Sequence, residues 1–296
     1  MRKLAVLDAP SNLGLRPPVP GAVPGCAKAP GALRDTGLLT RLDARDAGCL
    51  VAPRHDLGGW REGDGVFHAS QQTAYARRLA DRLDTVHARG ELPVVLGGDC
   101  GIVLGPALAP RRCGRFGLAY VDGHSDFRHP GNSDRIGATG GEALALCTGR
   151  GQADLSNLDG LRPLVRDADA VLLGMGPEDE GDLAELSTTD IRVRPAREVR
   201  AAGAEATARW VRTHFDTLPG FWVHLDADAL DASVMPAVDS PNPDGLTPDE
   251  LAGLLAGLVR APGCQGLDVG IYDPDRDPDG SCAALLADVL VRALTG

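Results

Sequence analysis

Three ligand-type side chains occupy alternate positions in Tyr120-Val-Asp-Gly-His-Ser-Asp-Phe, namely Asp122, His124 and Asp126. In an extended chain, residues i, i+2 and i+4 point the same way, so two carboxylates and an imidazole converge on one small volume. Phe221-Trp-Val-His-Leu-Asp-Ala-Asp repeats the arrangement with Asp226 and Asp228, and it sets His224 on the same strand face. Four carboxylates gathered without counter-charge repel one another and resist burial, and a pair of divalent cations relieves both penalties. Carboxylate and imidazole donors suit Mn²⁺, Fe²⁺ or Zn²⁺. A third stretch, Gly97-Gly-Asp-Cys100, offers a cysteine as the sixth donor. Its thiolate would tilt one site toward Zn²⁺ or Fe²⁺. Asp99 reads as the residue that orients this turn. His224 has two open readings, a core histidine or a group near the metals that could take part in catalysis.

Each of these stretches follows a short apolar run, and strand-like and helix-like runs alternate through the chain. Strands are expected at Leu4–Leu7, Cys49–Ala52, Pro93–Leu96, 117–121, Ala170–Leu173, 191–193, 221–225 and 267–272. Helices are expected at Ala32–Arg45, Val66–Arg89, from about 102 to Leu108, Ala143–Leu146, near 182–187, and at 204–215 and 281–294. A further helix opens at Thr247-Pro-Asp-Glu, with threonine as N-cap and proline in the first turn. This alternation predicts an α/β fold with a mainly parallel sheet covered on both faces. In such sheets, sites form beyond the carboxyl ends of the strands, where the ligand-type residues lie. The Gly/Pro-rich loop at residues 10–31 is too long for a mere connection and reads as functional or disordered. No linker or repeat divides the chain, so residues 1–296 are expected to form one domain.

The net charge of −11 argues against nucleic acid or an anionic membrane as a partner. No apolar run approaches the 18 residues of a membrane span. Met1-Arg-Lys-Leu-Ala-Val-Leu-Asp lacks the apolar region and cleavage site of a signal peptide and reads as a first strand. Seven scattered cysteines without a Cys-x-x-Cys pair fit reduced thiols and a cytoplasmic setting.

Gly-Gly-Asp, Asp-x-His-x-Asp and Asp-x-Asp-x-Leu-Asp, followed by Pro236 and Gly245-Leu246, resemble the motifs of the ureohydrolases, the arginase/agmatinase family. Pro30-Gly-Ala-Leu-Arg resembles an early segment of that family, and the motifs run in the family's order over nearly the whole chain. The resemblance implies a three-layer α-β-α sandwich and a binuclear centre, usually of manganese. There, water activated at the metals attacks a guanidino carbon and urea is released. It assigns Asp122 and Asp226 as ligands to both metals, Cys100 and Asp126 to one site, and His124 and Asp228 to the other. Asp126 and His224 are the catalytic candidates. Asp179 and Asp182, in the loop Gly176–Asp182, match the place where the family holds the substrate's amine end. Trimers or hexamers are the family's common assemblies.

The departures are informative. Cys100 stands where the family's first ligand is histidine. Thr139-Gly140-Gly141 stands where a catalytic histidine is expected, and Gly270 or Ile271 where a glutamate meets the guanidinium. The cysteine and the Asp-Gly-His-x-Asp-Phe motif resemble the hydroxyarginine-hydrolysing branch of antibiotic biosynthesis. The expected reaction is therefore cleavage of a C–N bond in a modified guanidine such as an N-hydroxyguanidine, giving urea or a substituted urea. Two alternatives stand beside it: hydrolysis of another linear amide or amidine, and a catalytically silent metal-binding homologue.

Overall fold

The computed structural model describes residues 2–177 and 184–296. Among the described residues eight strands form one sheet: β1 (Leu4–Asp8), β2 (Arg45–Cys49), β3 (Leu92–Leu96), β4 (Gly117–Val121), β5 (Ala170–Leu173), β6 (Arg192–Arg194), β7 (Phe221–Asp226) and β8 (Cys264–Gly270). All the pairings are parallel, in the order β2-β1-β3-β8-β7-β4-β5-β6. Every residue of β3, β4, β5 and β7 is buried. Strands apolar on both sides need cover on both faces, which is why their sequences run nearly unbroken in Val, Leu and Ala.

Helices supply the cover. Ala69–His87 packs against Leu104–Cys113, while Pro248–Val259 packs against both Ala204–His214 and Ser281–Thr295. The expected three-layer α/β arrangement with a parallel sheet is therefore the one observed. Thr247 caps its helix by accepting from the Glu250 amide, and the Glu250 side chain returns to the Thr247 amide. This reciprocal box is what the Thr-Pro-Asp-Glu run encodes.

Several expected elements shift, among them the helix expected to end at Leu108, which runs on to Cys113. The strand expected at Cys49–Ala52 lies at Arg45–Cys49. It is the sheet's edge, and only Ala47 is buried, so it carries no apolar run to reveal it. The helix expected over 32–45 is two short ones, Ala29–Asp35 and Leu38–Arg41, broken at Gly37 with φ +76°. The last strand ends at Gly270, because Ile271 turns to φ +69°.

Consecutive strands β3 and β4 are separated in space by β8 and β7. The chain returns late to fill the centre of the sheet. Connections leaving β3 and β4 therefore part, and a crevice opens at the carboxyl ends of the four central strands.

Candidate metal centre and active site

The crevice is built from those four strand ends. After β3, Gly98 lies so close to the neighbouring loop that a Cβ there would fall 1.7 Å from the Ser11 carbonyl oxygen. Asp99 fixes the turn, accepting from Ser11 Oγ at 2.6 Å and from the Gly101 amide at 2.9 Å. It orients the loop and leaves Cys100 to face the crevice. After β4 come Asp122, His124 and Asp126, and the end of β7 supplies His224, Asp226 and Asp228.

Two groups of donor atoms result. Cys100, Asp122, His224 and Asp226 each place a ligand atom within 4.8 Å of the others, as do Asp122, His124 and Asp228. Asp122 belongs to both groups, the position a shared ligand needs. All but His124 are buried. Protons and amides hold the carboxylates: Cys100 Sγ donates to Asp226 Oδ2 at 2.9 Å, the His124 amide to Asp122 Oδ1 at 2.6 Å, and the Asp228 amide to Asp226 Oδ1 at 2.8 Å. His124 Nδ1 lies 3.0 Å from Asp228 Oδ2. Burial, reinforced by the neighbouring aspartates, drives the Asp122 and Asp226 carboxyls well above their ordinary range. The Cys100 thiol is pushed up by the same causes.

Two atoms of this cluster, Asp122 Oδ2 and His224 Nε2, are buried without a hydrogen-bond partner. Buried polar atoms are nearly always satisfied, and an orphaned carboxylate oxygen beside an orphaned imidazole nitrogen is costly. A divalent cation would satisfy both, so the donor set fits a metal centre.

Asp126, expected as a ligand beside Cys100, is not in either group. It lines the same crevice, but its Oδ2 accepts from the Tyr120 hydroxyl at 2.6 Å. Burial raises its pKa to about 6 against the lowering pull of that hydrogen bond. Its backbone sits at φ +44°, a region aspartate enters more readily than most residues. Asp179 and Asp182 lie outside the described residues.

The crevice opens into a cavity of about 600 Å³. Cys100, His124, Asp126, Asp226 and Asp228 form its floor, with Arg16, Glu62, Arg128, Arg135, Asp239 and Ser240 around it. Leu15 and Arg16 come from the long Gly/Pro-rich loop, which thus lines the site. Gly140, Gly141 and Ile271 also face this space. Thr139 is buried, its hydroxyl donating to Gln72 Oε1 at 2.6 Å.

Several site residues escape a sequence reading. Asp268 receives His224 Nδ1 at 2.5 Å and Trp222 Nε1 at 2.6 Å, entirely out of solvent. Its signal was present, a lone carboxylate inside the apolar strand Leu267-Asp-Val. Tyr120 sits two residues before Asp122 and reads simply as a core aromatic. Asp239 and the three arginines come from loops with no periodic signature.

A parallel α/β sheet whose central strand ends gather carboxylate, imidazole and thiol donors defines a metal-dependent hydrolase class of site. The model of the arginase family matches residues 15–296, and the chain belongs to that family. Among curated relatives, the arginase of Bacillus caldovelox is 29% identical over 258 residues, covering 83% of each chain. The N(omega)-hydroxy-L-arginine amidinohydrolase of Streptomyces lavendulae is 31% identical over 217 residues, covering 69% of this chain and 72% of its own. Among solved structures, the arginase of Bacillus caldovelox superposes with a TM-score of 0.88 at 24% identity, covering 100% of this chain and 99% of that one. The protein is thus a hydrolase acting on amidino C–N bonds, of a family that uses a binuclear divalent-metal centre. Among the described residues, no helix is long and apolar enough to cross a membrane.

Proposed function

We propose that the protein hydrolyses a modified, weakly basic guanidine carried on an amino-acid-like tail, with an N-hydroxyguanidine as the substrate type. The observation that carries this reading is Ile271. It faces the cavity together with the metal-ligand residues, and the family's glutamate is expected at Gly270 or Ile271. An apolar side chain there offers no counter-charge to a fully protonated guanidine, whereas an N-hydroxyguanidine is far less basic and loses less. The relative acting on N(omega)-hydroxy-L-arginine supports the same choice. Arg128 and Arg135 together with Asp239 surround the cavity with both signs of charge, which suits a zwitterionic tail.

Asp122 and Asp226 would hold both metals, and His124 and Asp228 would complete one site. Bound there, the ions lower the pKa of water and polarise the amidine carbon. Asp126 faces the same space, and it takes the proton of the attacking water. Water oxygen bonds to the amidine carbon, the bond to the tail nitrogen breaks, and that nitrogen leaves as an amine after receiving the proton. From an N-hydroxyguanidine the other product is hydroxyurea, and from an unmodified guanidine it is urea. The setting is specialised metabolism in the cytoplasm, and the assembly is a trimer or hexamer.

A second reading has one observation in its favour. Three arginines, Arg16, Arg128 and Arg135, face the cavity and suit an acidic tail bearing a formimino group. A formimidoylglutamase of Aromatoleum aromaticum is 27% identical over 309 residues. Products separate the two, since a formimino substrate yields formamide. The test is turnover of N-hydroxyarginine, arginine, agmatine and formiminoglutamate by metal-loaded protein, with products resolved by mass. Faster cleavage of arginine than of N-hydroxyarginine would contradict the reading.

A further inference from the structure

We infer that one metal site of this protein is a sulfur–nitrogen site, made by Cys100 Sγ and His224 Nε2 with Asp122 and Asp226, and that it selects Zn²⁺ over Mn²⁺. The inference rests on the proposed metal centre and names the donors of its second site.

Four observations converge on it. The donor atoms of these four residues lie within 4.8 Å of one another, whereas Asp126 falls outside the group. His224 is fully buried, and its Nε2 has no partner. A histidine serving only the core would not leave a ring nitrogen bare. Its other nitrogen, Nδ1, lies 2.5 Å from Asp268 Oδ2, and Asp268 is itself held by Trp222 Nε1 at 2.6 Å. A carboxylate on Nδ1 fixes the proton there and turns the Nε2 lone pair toward the cluster, the arrangement that orients metal-binding imidazoles. The ring cannot swing away, because Tyr120 lies against it at a centroid distance of 4.3 Å. That same Tyr120 hydroxyl engages Asp126. One aromatic residue thus packs on the imidazole and donates to the Asp126 carboxylate.

The strand register explains the geometry. His224 pairs with Asp268 across β7 and β8, so the imidazole and its carboxylate are fixed by sheet hydrogen bonding. With cysteine on the turn after β3, a histidine from β7 restores a nitrogen donor to the centre. Thiolate, imidazole and two carboxylates make a four-donor set that suits tetrahedral Zn²⁺, while Mn²⁺ favours oxygen-rich, six-coordinate surroundings.

The test uses the full chain stripped by chelator and reloaded with Co²⁺, which reports thiolate ligation in the near-ultraviolet and tetrahedral geometry in the visible. The native chain is expected to show both signatures. Cys100→Ser should lose the near-ultraviolet band. His224→Ala should lose the tetrahedral bands and weaken one of two Zn²⁺ affinities by at least about 100-fold, while Asp126→Asn should keep both signatures. Asp268→Asn should weaken the same affinity by about 10–100-fold. Far-ultraviolet circular dichroism of each metal-free variant reports its folding. If His224→Ala fails to fold, Cys100→Ser and Asp268→Asn read the same site. A spectrum unchanged in His224→Ala, or erased in Asp126→Asn, overturns the inference. Loss of hydroxyguanidine turnover with the spectra intact would count against the proposed substrate and leave this site standing.

Discussion

Asp122 and Asp226 set the character of the centre. Cys100 Sγ lies 2.9 Å from Asp226 Oδ2, close enough for one cation to hold both. Replacing Asp226 by alanine should abolish turnover and remove tightly bound metal, as elemental analysis would show. Retained metal and activity would mean that the chemistry lies elsewhere. Asp126 is predicted to act on the proton rather than on the ions. Asp126→Asn should lower kcat by about 100-fold or more while leaving metal content unchanged, given the usual worth of a positioned base. The gathering of ligand-type residues was legible at this scale because carboxylates alternating past an apolar strand repel one another unless a cation joins them. The role of Tyr120 and Asp268 was not, since both depend on which strands become neighbours.

Strand ends and turns place these residues to within ångströms. Gly98 permits the close approach of the β3 turn to Ser11, and a methyl group there would meet backbone, which cannot move aside cheaply. Gly98→Ala should therefore cost about 1–3 kcal/mol and displace Cys100, lowering both the melting temperature and the metal affinity. The helix opened by Thr247 gives a contrast away from the site. Thr247→Ala removes the capping box and should cost about 1 kcal/mol, with no change in metal content. Elements with strong local signals were readable in advance, among them β4, β5, the Thr247 cap and the helix ending at His87. The edge strand β2 was misplaced because an edge need not be apolar, and the 32–45 helix was overextended across a glycine that turns left-handed. Ile271 leaves the last strand at φ +69°, an angle uncommon for a β-branched residue, so the sequence argued for continuing it.

At the scale of the whole molecule, the late return of β7 and β8 between β3 and β4 is what creates the crevice. No single segment encodes it, and the order of strands was not readable, although their alternation with helices was. The buried carboxylates tie folding to metal and to pH. Asp126 is raised from its ordinary 3.8 to about 6, and Asp122 and Asp226 are raised further by burial. A carboxyl raised in the folded state favours folding while protonated, and that contribution fades as pH rises through the folded value. The metal-free chain should therefore lose stability from about pH 4 through about pH 6 and above. Divalent metal should reverse the trend, because it binds the deprotonated cluster. Thermal melts across pH with and without chelator would show the two curves diverging upward from about pH 5. Parallel curves would mean that the aspartates do not form a shared cation site.

The most direct test of the central claim is the product profile of metal-loaded protein given N-hydroxyarginine and arginine in competition. Hydroxyurea and ornithine are expected from the hydroxylated substrate well ahead of urea from arginine. Urea as the dominant product would contradict it, returning the protein to ordinary arginine hydrolysis despite Cys100 and Ile271.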